Sequence, residues 1–145
     1  ATHAGWLRSK KPSLSTLRDL FASIAARDRA KANVVGRYLV SAAWHAQNPR
    51  SALEWIKRAE RTTLRYALAQ MSAIARHAVE RRLSQIRVPT LILTGDEDKL
   101  VPHQNSQRLA ELIPRAQLVI LRGAGHAFPL ERENEVVAAL ENFLG

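Results

Sequence analysis

Cysteine is absent from these 145 residues, which excludes disulfides and cysteine-bound metals. The absence agrees with a reducing, cytoplasmic setting. No apolar run reaches the ~18 residues expected of a membrane helix, so no membrane partner is expected. Acidic side chains are scarce in the first part of the chain. Residues 1–88 hold 17 Lys/Arg against 5 Asp/Glu, a net +12, whereas residues 89–145 hold 5 against 8, a net −3. A basic half attracts anionic substrates, nucleic acid or an acidic partner surface, or is simply an arginine-rich solvated face. Arg58, Arg61, Arg65, Arg76, Arg81 and Arg82 spread around several helical faces, which argues against a nucleic-acid-reading helix. His45 and His77 have no second ligand four residues on, so the pattern offers no metal site.

What is present reads as one globular domain in length and composition, 46% hydrophobic and 24% charged. Residues 1–12 lack periodicity and read as a connection, with Trp6 and Leu7 as anchors and His3 as a loop residue. Ser13 to Arg27 reads as a helix through Leu14, Leu17, Phe21 and Ile24, with Thr16 and Asp19 as a capping-box-like start. Arg29 to His45 is a second helix, carrying Val34, Val35, Tyr38, Leu39 and Ala42 inward. Asn48 and Pro49 start a third, with Leu53, Ile56 and Ala59 buried. A longer helix runs from Thr62 or Thr63 to about Leu83, with a stripe of Leu64, Leu68, Met71, Ile74, Ala75, Ala78 and Arg82.

At about residue 85 the pattern changes. Thr90 to Thr94 and Leu118 to Leu121 are apolar runs of strand length, each emptying into a turn that carries ionisable residues. Between them His103 or Gln104 opens a helix that Pro114 closes, and Val136, Val137, Leu140, Phe143 and Leu144 mark a final amphipathic helix. Strand, helix, strand is a βαβ unit, so the two strands should be parallel neighbours. Asp98 and His126 then hang off their carboxyl ends, where open α/β sheets place their sites. An acid and a histidine brought together there are the orienting member and the base of a nucleophilic triad. Within the acidic turn only one of Asp96, Glu97 and Asp98 can be that acid; a solvated, helix-capping turn is the plain alternative. His103 reads as a helix-start residue.

The run Ile86 to Pro102, I-x-V-P-T-L-I-L-x-G-x-x-D-x-x-V-P, and the G-x-G-H run, Gly123 to His126, resemble the C-terminal part of the α/β-hydrolase family. The 28-residue separation of Asp98 from His126 and the helical pattern of Glu133 to Leu144 also resemble it. For residues 1–85 the likeness is positional. The resemblance implies an α/β fold: two parallel strands of a hydrolase sheet preceded by an all-helical cap. It divides the chain into 1–12, a connection from a core strand; 13–84, the cap; and 85–145, the C-terminal part of the core. It implies Asp98, three residues past Gly95, as triad acid, with Asp96 as the fallback, and His126 as base. The family's serine sits in a G-x-S-x-G elbow, yet no two of the six glycines here bracket a serine. Family order therefore implies a nucleophile upstream of Ala1.

The implied function is cleavage of a small ester, lactone or related carbonyl substrate, without a cofactor. Family relatives with an aspartate nucleophile, such as haloalkane dehalogenases and epoxide hydrolases, stay open. Phe21, Tyr38, Trp44 and Phe128 are the implied substrate-pocket candidates. The implied partners are the substrate and the remainder of the core, or a second copy of the chain completing the sheet. The competing reading is a non-catalytic basic binding or assembly module.

Overall fold

The computed structural model describes residues 9–25, 36–49 and 63–145. In chain order its elements are helices α1 (Leu14–Ala25), α2 (Ala42–Gln47), α3 (Leu64–Arg76) and α4 (Glu80–Leu83), then strand β1 (Thr90–Gly95), helix α5 (Gln104–Leu112), strand β2 (Ala116–Leu121), and helices α6 (Phe128–Glu131) and α7 (Glu133–Leu144). The predicted third helix, with Leu53, Ile56 and Ala59, lies outside the described residues, as do Trp6, Trp55 and His3.

β1 and β2 pair in parallel, from Thr90 opposite Ala116 to Gly95 opposite Leu121. Alternate residues face opposite sides of a strand, and the packing follows that period. Ile92 and Ala116 pack on one side, against Leu83, Leu109 and Ile113. Leu93 and Val119 pack on the other, against Leu121, Ala124 and Phe128. The strand interiors remain half-buried, and α7 has no fully buried residue: Val137, Leu140 and Leu144 are 46%, 42% and 79% exposed.

The helical half departs from the sequence reading at three points. α1 is capped by Ser13, whose hydroxyl accepts the Thr16 N–H at 3.1 Å, while Asp19 turns instead to Tyr38. The predicted helix Arg29 to His45 breaks at Val40 and Ser41, between a helical turn at 36–39 and α2. Tertiary bonds displace helical ones there: Leu39 O accepts Ala127 N–H at 2.6 Å and Ser41 N–H donates to Glu131 at 2.9 Å. The Ser41 hydroxyl then caps α2 at Trp44 N. The helix predicted to Leu83 stops at Arg76, and α4 restarts at Glu80. The interruption lets Leu83 join the α5 cluster and Glu80 bind Arg108 at 2.7 Å. Of the predicted stripe, Met71 is half-buried, whereas Leu68 is 53% exposed and Ile74, Ala75 and Ala78 are also exposed.

Candidate active site

The turn after β1 is shaped by its own carboxylates. Asp98 Oδ1 accepts the N–H groups of Leu100 and Val101, both at 2.8 Å. Short polar side chains close turns in this way. Both bonds set the rotation of the carboxylate and leave Oδ2 directed across the sheet end.

The loop after β2 is stitched to that turn by backbone and side chain. Asp96 N–H donates to Leu121 O at 3.2 Å and Glu97 N–H to Ala124 O at 2.9 Å. Asp96 Oδ1 accepts Gly123 N–H at 2.7 Å. Gly95 lies beneath this crossing, where a methyl group would overlap the carbonyl oxygens of Ala124 and Gly125. A side chain at Gly95 would therefore push the two turns apart.

Across this junction His126 Nδ1 meets Asp98 Oδ2 at 2.8 Å. The Asp98 side chain is fully buried, whereas that of His126 is 32% exposed. A carboxylate facing Nδ1 requires a proton on Nδ1, leaving the lone pair on Nε2. Among the described residues Nε2 takes no hydrogen bond. Such a pair can take a proton from a hydroxyl and return it to a leaving group.

The other candidates are placed as follows. Asp96 serves the Gly123 loop, and His103 Nδ1 lies 3.2 Å from Asp96 O at the start of α5. Phe21 is half-buried on α1, and Trp44 is half-buried on α2. Tyr38 is also half-buried and donates its hydroxyl to Asp19 Oδ2 at 2.7 Å. That bond, and after it Arg18, lowers the Asp19 carboxyl below its ordinary value, and the same bond raises the Tyr38 phenol above its own. Phe128 belongs to the core cluster with Leu121 and Ala124. Among the described residues no group of three His, Cys, Asp or Glu is placed to hold a metal, and no helix is long and apolar enough to cross a membrane.

Three residues at this junction escaped the sequence reading. Glu131 is buried and accepts the N–H groups of Ser41 and Gly125. Arg132 donates to Arg122 O and Gly123 O. Asn105 is buried and exchanges two bonds with the Lys10 backbone, at 2.7 and 2.9 Å, tying residue 10 to the first turn of α5. The clue for Glu131 was its position five residues after His126, but the run Glu-Arg-Glu reads as solvated charge.

Comparison with known proteins bears on the family and the fold. A family profile described as alpha/beta hydrolase fold matches residues 14–133. A Pseudomonas savastanoi protein named "Putative carbamate hydrolase RutD" is 45% identical over 60 residues, 41% of this chain and 23% of the relative. A pimeloyl-[acyl-carrier protein] methyl ester esterase of Xylella fastidiosa is 32% identical over 103 residues, 69% of this chain and 40% of the relative. The crystal structure of the enol-lactonase from Burkholderia xenovorans shares the fold, with a TM-score of 0.73 at 23% identity, over 99% of this chain and 53% of that one. The chain thus matches less than half of either curated relative and about half of the lactonase.

Proposed function

The chain belongs to the alpha/beta-hydrolase family, and on that premise we propose that it is the C-terminal part of a serine-type hydrolase cleaving a small ester, lactone or related carbonyl substrate. Asp98 is the triad acid and His126 the base, and the nucleophile lies upstream of Ala1. Residues 13–84 form a cap over the site, and 85–145 complete the core. The observation that carries the reading is the 2.8 Å contact between a fully buried Asp98 carboxylate and His126 Nδ1. In such a triad His126 Nε2 takes the proton of the attacking hydroxyl, and Asp98 holds the imidazole in that tautomer and stabilises the imidazolium. The names of the two curated relatives favour a carbonyl carbon bearing an oxygen or nitrogen leaving group. Phe21, Tyr38 and Trp44 are the candidate pocket residues on the helical side, and Phe128 supports the histidine loop from the core.

The test is hydrolysis of an activated ester by the full-length protein that carries these residues. His126→Ala should abolish turnover and Asp98→Asn should lower it steeply. Undiminished turnover in His126→Ala would remove His126 from the reaction, and no turnover in the unaltered protein would favour the basic binding module instead.

A further inference from the structure

We propose that Glu131 is a positioning residue: its buried carboxylate clamps the backbone of the histidine loop to the Val40–Ser41 turn, and so sets the direction of the His126 imidazole. The inference rests on the reading of His126 as the base. Glu131 Oε1 accepts Gly125 N–H at 2.8 Å, one residue before His126. Its Oε2 accepts Ser41 N–H at 2.9 Å, from a residue 90 positions away in sequence. One residue after His126, Ala127 N–H donates to Leu39 O. The imidazole is therefore flanked on both sides by backbone bonds that lead, directly or through Glu131, to residues 39–41. Gly125 shows how close this approach is: a methyl group there would lie 2.6 Å from Val40 C and 2.8 Å from Ser41 N.

The carboxylate is suited to this role in a way an amide is not. It offers an acceptor oxygen to each of two donors, whereas glutamine presents one oxygen and one NH2. With glutamine, one backbone N–H faces another donor, and burial prevents water from replacing the lost bond. Arg132 holds the opposite end of the loop through the carbonyls of Arg122 and Gly123. The histidine loop thus depends on a two-sided clamp from the end of α6. Through Glu131 and the Gly125 backbone, the break at 39–41 acts on the placement of the base.

The test uses the full-length protein and an activated ester. Glu131→Gln should lower kcat by about 10²-fold, the scale of a misplaced reacting group. KM should stay within about twofold, as for an interaction made in the transition state. The proton resonance of the His126 Nδ1–Asp98 bond should shift or broaden in the same variant. Unchanged kcat and an unchanged resonance in Glu131→Gln, with His126→Ala inactive, would overturn the Glu131 role alone. Full activity in His126→Ala would overturn both readings. If Glu131→Gln fails to fold, amide exchange in the unaltered protein decides. The Ser41 and Gly125 amides should be protected together, and a fast-exchanging Gly125 beside a protected Ser41 would overturn the clamp.

Discussion

Asp96 and Gly123 are joined at 2.7 Å, side-chain carboxylate to backbone N–H, across the carboxyl ends of the two parallel strands. Two residues later Asp98 reaches His126 instead. Neighbouring carboxylates in one turn thus have separate tasks, one holding the loop and the other holding the imidazole. Asp96→Ala leaves a backbone donor without its partner and should destabilise the fold by about 1–3 kcal/mol. Asp98→Asn in the full-length protein should lower kcat by about 10³–10⁴-fold through the wrong imidazole tautomer. Denaturation midpoints and ester turnover, measured on both variants, separate the two roles. Equal losses of turnover would mean that the carboxylates share the work.

On the proposed reading the 145-residue chain by itself should not turn over an activated ester, because the nucleophile and much of the oxyanion hole would come from residues outside it. His126→Ala should then change nothing in the isolated chain. Turnover that falls on removing His126 would reveal a nucleophile among these residues.

Gly95→Ala should be poorly tolerated. A methyl group there overlaps the Ala124 and Gly125 carbonyls, which belong to backbone and cannot swing aside. The expected loss is about 3 kcal/mol, at the upper end for overpacking. A melting temperature equal to the parent's would show that the junction is softer than its hydrogen bonds imply.

The isolated 16.2 kDa chain should associate in solution. Among the described residues β1 and β2 pair only with each other, so each strand has one open edge, and α7 exposes Val137, Leu140 and Leu144. Open edges and apolar faces recruit partners. Light scattering should report a dimer or larger species. A monomer with cooperative unfolding would refute the requirement for company.

The contact between α1 and the turn at 36–39 should be strongest at intermediate pH. The Asp19 carboxyl is lowered, chiefly by the Tyr38 hydrogen bond and then by Arg18, so its contribution is present above the ordinary carboxylate range and fades as acid protonates it. The Tyr38 phenol is raised by the same bond, so its contribution is present below the ordinary phenol range and fades as base ionises it. Tyr38→Phe should remove the basic limb and shrink the acidic one, which Arg18 still supports. A parent and variant with parallel pH profiles would show the bond contributes nothing in solution.

Both strands, their parallel pairing and the Asp98–His126 meeting were legible in the sequence. Their signals are local: β-branched runs, Gly and Pro punctuation, and a helix of the right length between them. What was not legible depends on distant contacts. The break at Val40 and Ser41 exists because Glu131 and Ala127 bind there, and no periodicity reports bonds made by residues 131 and 127. The pause before α4 likewise follows from Leu83 and Glu80 docking on α5. Thr16 looked like a cap, but Ser13 stood one turn earlier with the same chemistry. Glu131 carries a charge that solvent usually claims, and its burial arises only when the two halves close on it.

The stitches between residues 10 and 105, and between 41 and 131, also set an order of events during synthesis. Residues 9–41 emerge from the ribosome long before their partners exist. At about 5–20 residues per second, Lys10 waits on the order of 5–20 seconds for Asn105 to be made. The βαβ unit closes over shorter loops, which form sooner than distant ones. The early helices therefore spend that interval without the surface that later bends them at Ser41, and His126 acquires its final setting only after Glu131 has left the ribosome.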